Sequence, residues 1–197
     1  MNRDILICGV GGQGTVLASK IIAAAAMEEG RTVHSAETIG MAQRGGSVTS
    51  HVRIGEEAFS PLIPRGGADL LLAFEPAEAV RNLIYLKPGG TVIVNTRAVR
   101  PVTESLKPTG YDGAQMTEYL EQKCACLFVD GEAVCAPFGS AKFFNIILLG
   151  IAAGSGRLGL KRESVLHQMS LNLPERFLEI NRQAFEAGFA LGDKESL

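Results

Sequence analysis

Residues 5–14 read Ile5-Leu6-Ile7-Cys8-Gly9-Val10-Gly11-Gly12-Gln13-Gly14, and this stretch decides the fold. Ile5 to Val10 is a compact apolar run with a glycine stop, the pattern of a strand buried on both faces. Gly9 to Gly14 matches Gly-x-Gly-x-x-Gly in the context that gives the pattern meaning, directly after a strand and at the opening of a helix. Glycines there permit a tight turn, let the backbone approach a ligand and expose helix N-terminal amides to an anion. A phosphate or pyrophosphate is the natural guest. The same glycines also serve plain strand-to-helix packing, which needs no ligand at all.

Working outward, Gly11 to Glu29 reads as a helix whose apolar stripe is Val16, Leu17, Ile21, Ile22 and Ala23 to Ala26, with Gly30 as its stop. Thr32 to Ala36 is a second strand. The glycine-rich connection Gly40 to Ser47 leads to Val48–Ile54, whose alternation of apolar and polar residues predicts a strand with one solvated or partner-facing side. Ala68 to Phe74 repeats the buried-strand signature, and Pro76 opens a helix running to about Tyr85. Lys87 to Gly90 turns the chain into a strand at Thr91 to Asn95. Beyond an irregular stretch holding Pro101 and Pro108, a helix over Ala114–Lys123 precedes a strand at Cys126–Val129. Three helices follow at Ala141–Ala153, Arg162–Leu171 and Pro174–Leu191, with Ser140 and Pro174 as start signals. The alternation predicts an α/β, Rossmann-like, doubly wound and mostly parallel sheet with C-terminal helices, over one domain spanning residues 1–197. Ligands in such sheets sit beyond the carboxyl ends of the strands, at a switch point.

Composition narrows the function. Lys and Arg number 19 against 21 Asp and Glu, so the balance gives no ground for nucleic acid or a membrane surface as partner. The longest apolar stretch, Phe143 to Ala153, is well short of the ~20 residues of a membrane span, and no signal h-region is expected at Ile5–Val10. The four cysteines, Cys8, Cys124, Cys126 and Cys135, include no CxxC pair, so no metal site is expected in this chain and a reducing, cytoplasmic setting is. Cys124 and Cys126 fall on one face of a strand-like segment and read as structural, and His34, His51 and His167 each read as structural or surface residues. Asp130 reads as a cap or turn residue. No residue set forms a self-sufficient catalytic constellation, so no catalytic residue is assigned.

Gln43-Arg44-Gly45-Gly46-Ser47 places a lone cation among residues that leave the backbone bare, an arrangement suited either to an anion or to a solvated turn. It and the first glycine loop lie at the ends of early strands and are expected to face one cleft. A dinucleotide enzyme would want an acid ending the second strand; Glu37 is the residue nearest that role, and it falls late, in what reads as a loop.

Taken in order, these loops resemble the gamma-type domain of the 2-oxoacid:ferredoxin oxidoreductase family, and within it the small (beta) subunits of the indolepyruvate type. The matching stretches are GVGGQGTVLASKIIAAAA at Gly9–Ala26, AETIGMAQRGGSVTSHVRIG at Ala36–Gly55, ADLLLAFEPAEAVR at Ala68–Arg81, GGTVIVNT at Gly89–Thr96, FNIILLGIAAG at Phe144–Gly154 and NRQAFEAG at Asn181–Gly188. The resemblance implies a subunit that does not work alone. Thiamine diphosphate and [4Fe-4S] clusters are then expected in a large (alpha) partner subunit, which decarboxylates an aryl pyruvate such as indolepyruvate, passes electrons to ferredoxin and yields an acyl-CoA in anaerobic metabolism. By the same resemblance Gly11, Gly12, Gln13 and Gly14, with Arg44, Gly45 and Gly46, form a candidate site for the phosphate-bearing part of coenzyme A or for the subunit interface. A stand-alone NAD(P)-dependent enzyme and a noncatalytic nucleotide-binding module are the alternatives.

Overall fold

The computed structural model describes residues 2–39, 45–56, 58–99 and 110–194. Six strands, β1 (Arg3–Val10), β2 (Val33–Ile39), β3 (Ser47–Ile54), β4 (Ala68–Ala73), β5 (Leu86–Asn95) and β6 (Ala125–Val129), form one sheet in the order β2-β3-β1-β4-β5-β6. β1, β4, β5 and β6 run parallel, while β3 is antiparallel to both of its neighbours. The mostly parallel, doubly wound α/β sheet expected from the sequence is therefore present.

The period of two along the central strand decides how the layers assemble. Ile5 and Ile7 face the larger core, beside Ala18, Ile21 and Ile22 of α1 (Thr15–Glu28) and residues of α5 (Phe144–Gly154), α6 (Arg162–Asn172) and α7 (Leu178–Lys194). Leu6 and Cys8 face the other core, beside Ala79 of α2 (Pro76–Asn82) and Leu120 of α3 (Ala114–Lys123). All four of these β1 side chains are 0% exposed, so each face contributes apolar burial worth roughly 1.5–3 kcal/mol per large side chain. The chain leaves β1 toward one face and β4 toward the other, which makes the gap between their carboxyl ends the switch point.

Several expectations are corrected. The first helix begins at Thr15, not Gly11, because Gly14 adopts φ 86° and the glycines form the turn that precedes the helix. β2 runs on through Glu37, and Lys87 to Gly90 belong to β5 rather than to a turn. The helix from Pro76 ends at Asn82 and tightens into a 3-10 turn over Leu83–Tyr85. The expected starts at Ala141 and Pro174 are likewise 3-10 turns that lead into α5 and α7. Beyond exposed Ser47, β3 has no solvated side, and two of its polar residues find partners inside the protein. Arg53 holds both oxygens of Asp4 at 2.9 and 3.0 Å, and buried His51 accepts the Ile63 amide at Nδ1, 3.1 Å away.

α5 and α7 pack at unusually close range because glycines face each other across the contact. A Cβ on Gly150 would lie 2.2 Å from the Phe185 carbonyl oxygen, and one on Gly188 would lie 2.2 Å from that of Ile147. Among the described residues no single helix is long and apolar enough to cross a membrane; α5, the most apolar, is buried along nearly its whole length.

Candidate functional site

The two glycine loops are joined through their backbones. The Gly11 amide donates to the Gly46 carbonyl at 2.8 Å, and the Gly45 amide donates to the Gly11 carbonyl at 3.4 Å, continuing the β1–β3 ladder past Val10–Ser47. The Gly11 amide and carbonyl and the Gly45 amide are thus taken up by bonds between the two loops. Arg44, together with Gln43, lies outside the described residues. Gln13 is turned inward as a clamp: its Oε1 accepts the Val10 amide at 2.6 Å and its Nε2 donates to the Phe74 carbonyl at 3.1 Å. That side chain ties the end of β1 to the turn after β4 and fixes the glycine loop between them.

A cleft of about 480 Å³ opens at the carboxyl end of the sheet, within the size range of small-molecule sites. Gly12, Gly14, Lys142 and Asn145 are among its lining residues. Asn95, the last residue of β5, forms part of the lining; its Nδ2 donates to the Phe74 carbonyl and its Oδ1 accepts the Arg97 and Gly131 amides. Arg97 reaches the rim and pairs with Glu132 at 3.3 Å. Asp130 caps the short helix α4 (Gly131–Cys135), accepting the Glu132 and Ala133 amides at 3.0 and 3.1 Å, as its sequence context indicated. Of the expected site residues, Gly12, Gln13 and Gly14 line the cleft, while Gly11, Gly45 and Gly46 do not and are bonded to one another through their backbones.

Lys142 and Asn145 were not singled out in the sequence. They lie some 130 residues from the glycine loop, and no local motif links them to it. The one available signal is Asn145 itself, a polar residue at the head of the apolar run Phe144–Gly154.

On the opposite face, Glu75 caps α2 by accepting the Glu78 amide at 3.0 Å, and the Tyr111 hydroxyl donates to its other oxygen. The Ala77 amide in turn donates to the Tyr111 oxygen at 3.1 Å, so this phenol pins residues 110–112 to α2. Burial, the hydrogen bond to Glu75 and the Glu75 charge all push the Tyr111 phenol well above its ordinary range. Glu37 is engaged by the Ser19 hydroxyl at 3.1 Å. It sits on β2, which the intervening β3 separates from β1, two ladder spacings or ~10 Å from where a dinucleotide site would want it. The Cys124 and Cys126 sulfurs lie 3.5 Å apart, and burial pushes both thiols up, Cys126 to about 12.

A family model described as pyruvate ferredoxin/flavodoxin oxidoreductase matches residues 4–191. The curated indolepyruvate oxidoreductase subunit IorB of Methanothermobacter thermautotrophicus is 39% identical over 191 residues, which cover 96% of this chain and 97% of that protein. Among solved structures, the gamma subunit of a keto/oxoacid ferredoxin oxidoreductase from Geobacter sulfurreducens superposes with a TM-score of 0.70 at 24% identity, covering 98% of this chain and 99% of that one. The 2-oxoglutarate:ferredoxin oxidoreductase of Magnetococcus marinus, solved with 2-oxoglutarate, coenzyme A and succinyl-CoA bound, gives 0.74 at 19% identity, covering 98% of this chain and 31% of that one. At these identities the two structures establish the shared fold.

Proposed function

The chain belongs to the pyruvate ferredoxin/flavodoxin oxidoreductase family, and from that premise we propose that it is the small subunit of a 2-oxoacid:ferredoxin oxidoreductase of the indolepyruvate type. The complete enzyme oxidatively decarboxylates an aryl pyruvate to an acyl-CoA and passes the electrons to ferredoxin. Thiamine diphosphate and iron–sulfur clusters reside in the large subunit and supply the decarboxylation and electron-transfer chemistry. This chain completes the assembly and handles coenzyme A. The observation that carries the reading is the match to an indolepyruvate oxidoreductase subunit over nearly the full length of both chains.

The cleft fits that role chemically. Coenzyme A bears a diphosphate and a ribose phosphate, and the start of α1 offers backbone N–H groups with the positive end of a helix dipole beside them. Gln13, itself part of the lining, holds the glycine loop rigid through its bonds to Val10 and Phe74. The Gly45–Gly46 segment braces it from behind through the paired backbone bonds to Gly11.

The test is anaerobic dye reduction by the complex of this chain with its large subunit, each also assayed alone. Turnover that requires both subunits, coenzyme A and an aryl pyruvate, with kcat/KM for indolepyruvate or phenylpyruvate above that for pyruvate and 2-oxoglutarate, is the expected result. Full activity of the large subunit alone, or a preference for pyruvate, refutes the corresponding part.

A further inference from the structure

We infer that the open edge of β6 is an interface between two copies of this chain, in which the two β6 strands pair antiparallel about a two-fold axis beside Leu127 and join the two sheets into one. The inference goes beyond the proposed function and makes no use of the cleft.

β6 ends the sheet, with β5 as its one strand neighbour among the described residues. The Val129 carbonyl accepts the Thr96 amide at 2.9 Å, so Val129 directs its backbone groups toward β5. By the period of two, Ala125 and Leu127 do the same, while the N–H and C=O of Cys126 and Phe128 point away from the sheet. Those outward groups have no partner among the described residues. Natural sheets blunt such an edge with charge, proline, a bulge or a covering element. β2, at the opposite edge, carries His34 and Glu37. Ala125–Val129 holds neither a charged residue nor a proline, and it pairs with β5 in unbroken register. On the side of α5 and α7 the edge is also open: hollows of about 170 and 50 Å³ flank Leu127, which lines both, and Leu191 beside the larger one is 40% exposed.

Symmetry and charge name a second copy as the occupant. Cys126 and Phe128 stand one on each side of Leu127. A two-fold axis there sets Cys126 opposite the second copy's Phe128 and Phe128 opposite the second copy's Cys126, each a hydrogen-bonded pair, so every outward N–H and C=O gains a partner. Leu127 then faces its own counterpart as a non-hydrogen-bonded pair, the closer of the two kinds. Arg157 lines the hollow at the Ala125 end and has no hydrogen bond or ion pair among the described residues. Asp130 lines the hollow at the Val129 end, with only one carboxylate oxygen engaged, by the Glu132 and Ala133 amides. Antiparallel pairing about Leu127 lays the second copy's Asp130 across from Cys124, at the end where Arg157 stands, and the two-fold repeats that contact. Parallel pairing would instead set Asp130 beside Asp130 and Arg157 beside Arg157.

The test places a thiol on the seam. In the assembled complex, Leu127→Cys treated with oxidised glutathione should give a covalent dimer of this chain, linked through position 127 of both copies by peptide mass analysis, because opposed residues of a non-hydrogen-bonded pair lie ~4.5 Å apart and within disulfide reach. Ala125→Cys, on the same face, should link to itself about tenfold less, since in this register its two copies stand four residues or ~13 Å apart along the strands. Adding Arg157→Glu to Leu127→Cys should lower the yield about tenfold, by setting a carboxylate against the second copy's Asp130. Purification at normal stoichiometry is the folding check. Light scattering of the full-length chain reads the pairing without touching Leu127: wild type should have twice the chain mass at micromolar concentration, and Ala125→Lys, which puts a charge at an exposed position of the edge, the single mass. No link through position 127, equal links through 125 and 127, a yield that Arg157→Glu leaves unchanged, a wild-type chain of single mass, or an Ala125→Lys chain that stays paired overturns the inference.

Discussion

Gly188→Ala should destabilise the protein, against the ordinary helix preference for alanine. In an exposed helix the change gains ~1 kcal/mol. Here the new Cβ would stand 2.2 Å from the Ile147 carbonyl oxygen, 0.8 Å inside the 3.0 Å that real Cβ contacts respect. The obstacle is backbone on the facing helix, which cannot rotate away, so α5 and α7 must part. A gap of that order forfeits a quarter to a half of each facing dispersion contact, and overpacking of this kind costs ~1–3 kcal/mol or more. With backbone as the obstacle the cost falls at the upper end of that range, ~2–3 kcal/mol, so after the propensity gain a net loss of ~1–2 kcal/mol remains, or roughly 2–8 °C in Tm. Since Asn145 rides on the first turn of α5, the same displacement should loosen the cleft. Thermal unfolding followed by circular dichroism reads the first effect. A Tm equal to or above wild type would refute the close-contact reasoning, because propensity alone would then be in command.

Three further outcomes follow from buried polar groups. Burial and the Arg53 charge hold His51 below its ordinary 6.5, so the unfolded chain takes up a proton first. Stability is then full above about pH 6.5 and declines as pH falls below it toward the depressed folded value. Urea midpoints at pH 7.5 and 5.0 should differ more for wild type than for His51→Gln, and equal differences count against the assignment. Tyr111→Phe removes the donor to Glu75 and leaves the Ala77 amide without its acceptor; the expected cost is ~1–3 kcal/mol in denaturant titration, and a change within about 0.5 kcal/mol would mark the hydroxyl as idle. With burial and Cys124 pushing Cys126 up to about 12, native-state alkylation of Cys126 should be slow at pH 7.5 and climb steeply through pH 10; rapid labelling at neutral pH would contradict that environment.

The parts of the fold legible in the sequence are those where local pattern and tertiary outcome coincide. The run from Ile5 to Val10 is buried on both faces because it is the central strand, and apolar residues at every position say so directly. Asp130 caps a helix because its carboxylate needs only the amides two and three residues on. β3 misleads because alternation measures polarity and not exposure: the charge of Arg53 is answered by Asp4 on the neighbouring strand, a partner 49 residues away. Lys87 to Gly90 look like a turn because proline and glycine there signal one, yet the ladder with β4 carries the chain through as strand. At the site, the glycine loop announces itself by spacing, whereas Lys142 and Asn145 reach it only through the packing of α5 against α1, and no local pattern encodes that.

The most direct test of the central claim is an anaerobic pull-down of the tagged chain from its own host, with the absorption spectrum, thiamine content and aryl-pyruvate- and coenzyme A-dependent dye reduction of the recovered material. A large, brown, thiamine-containing partner with that activity is the predicted result. A chain that comes down alone and binds a nicotinamide dinucleotide would contradict it.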